Sequence, residues 1–322
     1  MPASDSETLR GAAPGPAAGP RTVSETDAVA AGGARPSAAA PGTPAGARDL
    51  GPWERLILNL RAARARAYVR VVATGRELSW LPFEVGLPIL AAAAYVFIYE
   101  ALGAPAEYTG FVLLGGAMTA YWMNVLWNMA SQFYWEKQSG LLETYFLAPA
   151  SRVSLLFGMA MGGIFMSSIR AAATLAAGSL IFGITYHVVS WPATMAAFVL
   201  TLSALYCLGM LFASVFLMYG REAWHMASAL QEPVYLASGF YFPVRALGFW
   251  AAMGASVIPL TLGLDAMRQL VFGMADMGFL PVAWELAGLA GLTVVYFGLA
   301  LRALSKMEHL AKKAGRLTLK WQ

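Results

Sequence analysis

Residues 135–155 read WEKQSGLLETYFLAPASRVSL. The stretch is a short island of charge between two long apolar runs, one ending near Ala130 and the other starting at Val153. In a chain of 322 residues that is 58% hydrophobic and only 12% charged, such an island has to lie outside a bilayer. Ser139 to Leu147 has room for about two turns of helix, which Pro149 closes, because the residue before a proline disfavours helical dihedrals. Leu141, Leu142, Tyr145 and Phe146 form its apolar face at helical spacing, with Glu143 on the other side. A short amphipathic helix between two spans suits docking to a peripheral partner. A loop whose apolar residues rest on headgroups fits the same pattern.

Working outward, the mean hydropathy of +0.58 and several apolar runs of about the 20 residues a spanning helix needs identify an all-α membrane protein. Six spans are expected, near Val85–Leu102 (broken early by Pro88), Thr109–Ala130, Val153–Ile184, Trp191–Met218, Trp224–Phe242 and Val282–Leu304. Residues 243–280, with Pro243, Pro259 and several glycines, read as short helices that dip back toward the membrane from the outer side. Residues 51–76 read as a basic amphipathic helix in the interface. Its apolar face carries Trp53, Leu56, Ile57, Leu60, Tyr68 and Val71, and Arg64 has to snorkel. Residues 1–50, rich in Ala, Pro, Gly and Ser, bury too little to offset ordering entropy and read as a disordered tail. The domain plan is therefore a tail at 1–50, an amphipathic helix at 51–76, a six-helix bundle at 77–305 and a basic tail at 306–322.

The net charge of +4 does not mark a nucleic-acid face, because the basic residues sit beside the spans. Arg55 to Arg76, Lys137, Arg152, Arg221 and the stretch from Arg302 to Lys320 all fall on one side of a six-span chain, leaving Arg245 and Arg268 on the other. That asymmetry predicts cytoplasmic N- and C-termini. A single cysteine, Cys207, excludes an intrachain disulfide, and His187, His225 and His309 show no metal-ligand spacing.

Polar residues inside the spans are few enough to single out. Tyr121, Asn124, Asn128 and Gln132 recur at helical spacing in the second span, and Gln231, Tyr235, Ser238 and Phe242 form a comparable face in the fifth. Such faces either bond neighbouring helices or wall a pathway for an amphipathic substrate. Arg170, midway in the third span, calls for an ion-pair partner, with Glu84, Glu100 and Glu285 eligible by depth. Asp265 and Arg268, at i and i+3, are placed to pair locally. Gly115–Gly116 and Gly162–Gly163 permit close helix packing. The spans otherwise hold almost no carboxylate at mid-depth, which argues against an ion-gradient-driven transporter. Ser238–Gly239 without a histidine at matching depth argues against a membrane serine hydrolase. None of the five lysines follows a glycine or precedes Ser or Thr, so no phosphate-binding loop is present.

Two blocks carry a resemblance. Glu136, Ser139–Gly140, Glu143, Ala148–Pro149 and Ser151–Arg152 resemble the "E…SG-x-LE…P-x-SR" loop after the second helix of type-2 ABC exporter permeases. Downstream, Ser238–Gly239, Phe242–Pro243, Trp250, Ile258–Pro259–Leu260–Thr261 and Leu264–Asp265–Ala266–Met267–Arg268 are similar to that family's "SG-x-x-FP…W…NPLT…LDALR" signature. Ile258 replaces the usual asparagine. The resemblance covers about residues 55–305. It implies a permease subunit in a bacterial plasma membrane, in contact with membrane lipid and not nucleic acid. It would pair as a homodimer or with a second permease, and would bind no cofactor itself, while a separate ABC ATPase subunit uses ATP and Mg. It further implies that Glu136, Ser139, Gly140, Glu143, Pro149 and Arg152 couple to that ATPase through a coupling helix. The polar faces of the second and fifth spans would line the substrate route, and Pro243, Pro259, Asp265 and Arg268 would belong to an outer gate. The substrate class stays open between hydrophobic or amphipathic small molecules and lipid-linked glycans.

Overall fold

The computed structural model describes residues 51–76, 79, 81–141, 150–219 and 222–313. Residues 1–50, most of the stretch 139–147 where a short helix is expected, and the chain beyond 313 lie outside the described residues. In chain order the elements are α1 (Pro52–Gly75), α2 (Leu81–Ala101), α3 (Glu107–Met123), a π-helical segment (Asn124–Met129) and α4 (Ala130–Gln138). After these come α5 (Arg152–Phe182), α6 (Trp191–Tyr219), α7 (Glu222–Ala237), α8 (Phe249–Ala255), α9 (Pro259–Phe272) and α10 (Val282–Lys313). No strand occurs among the described residues.

Five of these are long and apolar enough to cross a bilayer: α2, the continuous rod α3–π–α4, α5, α6 and α10. α8 and α9 meet at 111°, the bend of a re-entrant or broken span. The expected fifth span is α7, and it is shorter than its sequence suggested. Its 16 residues span about 24 Å, below the roughly 30 Å of the hydrocarbon core. It stops at Ala237 because Gly239 turns the chain at φ +61°, so Ser238 and Phe242 lie beyond the helix. Pro88, by contrast, does not break α2; it only deprives the Glu84 carbonyl of its helical donor.

The rod α3–π–α4 is the centre of the bundle. Its most apolar window is 89% buried, against 11% in α2 and 17% in α10. Glycine is what lets neighbours come this close: a Cβ on Gly115 would strike the Phe240 carbonyl oxygen and stand 2.9 Å from Arg268 Nη2. Gly115→Val is therefore expected to force α3 away from the 238–243 turn, at a cost of about 1–3 kcal/mol or more. A reduced monodisperse fraction on size-exclusion chromatography checks it; a wild-type profile would contradict this packing.

α1 lies alongside the first turns of α5, both running in the same direction. Ser151 N donates to Asn59 Oδ1 at 2.8 Å, and further along Gly158 and Gly162 give way to Ala63, Arg66, Ala67 and Arg70. The inner face of α1 is thus small and basic, while its apolar residues Trp53, Leu56, Leu60 and Tyr68 stay exposed, as does Arg64. Lipid is the natural cover for that stripe.

The connections at 102–106, 183–190 and 238–281 gather at one end of the bundle. There the α5–α6 loop is stitched to α9 by His187 N donating to Val271 O (3.1 Å) and Val189 N to Leu270 O (2.8 Å). α1 and the start of α5 occupy the opposite end.

Candidate functional site

At the α1 end, the last turns of the central rod meet a basic helix. Glu136 is 3% exposed and forms an ion pair with Arg66, while Gln132 Nε2 donates to Glu136 Oε1 at 3.0 Å. One turn further along α1, Arg70 Nη1 donates to Gln132 Oε1 at 3.1 Å. Burial first, then the neighbouring charges of Arg66 and Arg170, draw the Arg70 guanidinium below the ordinary arginine range. Just past this latch the helix ends: Gly140 takes a left-handed φ of +74°, and Ser139 Oγ donates to the Glu136 carbonyl at 3.2 Å. Ser139 and Gly140 thus stop α4 as Ser238 and Gly239 stop α7. Ser151 caps α5 by accepting from Ser154 N at 3.1 Å, and Arg152 comes next, half-buried. Glu143 and Pro149 lie outside the described residues.

In the middle of the bundle, the second-span polar face is largely consumed by neighbouring helices. Tyr121 donates to Ser168 Oγ (2.9 Å), Tyr206 donates to Asn124 Oδ1 (3.1 Å), and Gln132 serves the latch. Arg170 pairs with Glu84 at 2.7 Å, joining α5 to α2. Tyr121 and Asn124 meet α5, at Ser168 and Gly163, and Gln132 meets Arg70, which lies against Gly162 of the same helix; between them the chain runs through a π-helical segment from Asn124 to Met129. Within that segment Trp127 meets α7, where its Nε1 donates to Gln231 Oε1 at 2.9 Å. Asn128 is half-buried, as is Tyr235, whose ring meets Phe240 edge-on at 5.1 Å.

The opposite end is closed by one side chain. Arg268, 1% exposed, donates to the carbonyls of Gly239 (2.7 Å), Phe240 (2.7 Å) and Phe111 (3.1 Å). Its guanidinium lies 3.4 Å above the Phe111 ring centroid. The expected Asp265–Arg268 pair is not formed. Asp265 instead accepts from Phe279 N (2.7 Å) and from Gln269 Nε2 (3.2 Å), which also reaches Glu285 Oε2 (3.3 Å). Pro259 opens α9, and Pro243 opens the turn before α8. A cavity of about 530 Å³ sits at this end, lined among others by Glu100, Glu107, His187 and Phe272. None of the expected route residues lines it.

The whole stretch from the end of α1 through α9 matches a known family, the ABC-2 type transporter, over residues 74–272. The chain belongs to the ABC-2 transporter membrane family. No curated protein matches it. As an ABC-2 membrane domain it is the permease subunit of an ABC transporter, a family that works with an ABC ATPase. In this permease the latch, the π-helical segment and the arginine clamp all lie on or against the central rod.

Sequence reasoning missed two features of the permease. The link between α1 and the rod escaped because Arg66 and Arg70 read as solvent- or headgroup-facing charges. Glu232 escaped because one carboxylate hardly changes the hydropathy of α7, although the run Gln231–Glu232–Pro233 was there to be read. Glu232 is exposed on α7, next to a glutamine bonded to the interior of the rod.

Proposed function

We propose that this permease moves a hydrophobic or amphipathic substrate out of the cytoplasm or inner leaflet, driven by ATP hydrolysed on a separate subunit. The α1 end, with Arg55 to Arg76, is the cytoplasmic one, and the 139–151 loop is the seat for the ATPase. The observation that carries the reading is the latch itself. Arg66, Arg70, Gln132 and Glu136 tie the basic helix to the end of the rod directly before that loop, so a push on the loop reaches the most buried helix of the bundle. Two such chains, identical or paired with a second permease, would form the route between them. Trp127, Asn128, Gln231 and Tyr235 face it, whereas Tyr121 and Asn124 brace it from behind.

Affinity purification of the tagged chain from its native membrane tests this. A stoichiometric ATPase is expected to co-purify, and Glu143→Arg is expected to leave the permease folded and self-associated while transport no longer tracks ATP hydrolysis. A chain that purifies without any nucleotide-binding companion, or transport unchanged in Glu143→Arg, would sink the assignment.

A further inference from the structure

We propose that Glu232 is the charge-recognition residue of the route and selects an organic cation with an apolar body. This rests on the reading of α7 and the rod as route walls, and it decides between the substrate classes that reading leaves open.

The position is unusual for a carboxylate. Gln231, its neighbour, bonds Trp127 in the rod, and Tyr241, just past α7, stacks on Tyr95 of α2 with centroids 4.3 Å apart and planes within 6°. Trp127 and Tyr95 both lie inside candidate spans, so α7 holds Glu232 alongside two of them. A charge facing hydrocarbon is costly, so an exposed one beside the spans faces water, a partner or a ligand. Among the described residues no cation pairs with Glu232, whereas Glu136 has Arg66 and Glu84 has Arg170. Arg268 offers nothing, since three carbonyls and the Phe111 ring enclose it.

The surroundings of Glu232 all favour positive charge. Gln231 contributes only a long contact from Nε2, at 3.4 Å, because its Oε1 is committed to Trp127. Pro233, inside the helix, has no amide hydrogen, which leaves the Ala229 carbonyl without its usual donor one turn away. Tyr235 lies one turn along α7 from Glu232 on the same side, and Tyr241 follows just past the helix. Their rings, with Tyr95 at 38% exposure, offer negative faces to a cation, and exposed Leu236, one turn along α7 on the same side, flanks the site for its apolar body. A phosphate-linked glycan brings negative charge to the same place and is disfavoured.

The test uses the full chain in lipid nanodiscs and two probes of nearly equal size and opposite charge, tetraphenylphosphonium and tetraphenylborate, measured by equilibrium dialysis against empty discs. Saturable binding of the phosphonium is expected. Glu232→Gln should weaken it about tenfold, the scale of one charge-assisted contact, and Glu232→Asp should largely restore it. The borate should not compete. Equal phosphonium binding in wild type and Glu232→Gln, or competition by the borate, overturns the proposal. Binding lost in Trp127→Ala yet untouched in Glu232→Gln keeps the route and discards the cation. Absence of saturable binding, or indifference to both substitutions, discards the route as well. Loss of self-association in Glu232→Gln, read by native mass spectrometry, would make Glu232 a contact between copies and equally overturn it.

Discussion

Arg268→Ala is expected to be the most damaging single substitution in the permease. The side chain is 1% exposed and holds three backbone carbonyls from two separate segments, the 238–243 turn and the start of α3. Truncation strands the Gly239 and Phe240 carbonyls, leaves Phe111 O with only its helical bond, and opens a void the size of an arginine over Phe111. Stranding buried polar groups costs about 1–3 kcal/mol each, so a loss of roughly 2–6 kcal/mol is expected before the void is counted. Thermal unfolding in detergent should show it as a marked fall in Tm. Arg268→Lys should recover only part, because an ammonium cannot present the planar fork that spans Gly239 and Phe240 together. A Tm for Arg268→Ala within a degree or two of wild type would mean the clamp is not what closes this end.

Glu136→Ala should rank second, and a double substitution separates its two roles. Removing the carboxylate takes from Arg66, itself 13% exposed, its ion-pair partner on the rod, and breaking a buried pair costs up to about 3–5 kcal/mol. Replacing both partners by apolar residues of similar volume, Arg66→Met with Glu136→Leu, should return most of the stability. If the latch transmits force, that stable double variant still loses transport while the partner's ATPase continues to turn over. Full transport in the double variant would reduce the latch to a packing contact.

The fold was legible where its signals were local. Apolar length located the spans, and Pro243, Pro259 and the glycines correctly set 243–280 apart. What failed did so for physical reasons. Asp265 and Arg268 are spaced for a helical pair, but a guanidinium inside a bundle is better satisfied by fixed carbonyls, and backbone acceptors leave no trace in a sequence. Periodicity picked out Tyr121, Asn124, Asn128 and Gln132, but not the π-helical segment that begins among them, since periodicity assumes an α-helix throughout. Glu84 was one of three acids eligible to partner Arg170, and only the packing of α2 on α5 selects it. Glu136, expected to meet another protein, is the residue whose burial most changes the picture of the site.

The seating of α1 also has a consequence for biogenesis. Asn59 waits for Ser151, 92 residues further along the chain, and Arg70 waits for Gln132, 62 residues further along. At about 5–20 residues per second of synthesis, the first helix leaves the ribosome roughly 5–20 s before its groove on α5 exists. Its exposed stripe of Trp53, Leu56, Leu60 and Tyr68 gives it somewhere to be parked on the bilayer surface in the meantime. The residues that look least employed in the finished bundle are thus the ones the nascent chain uses first.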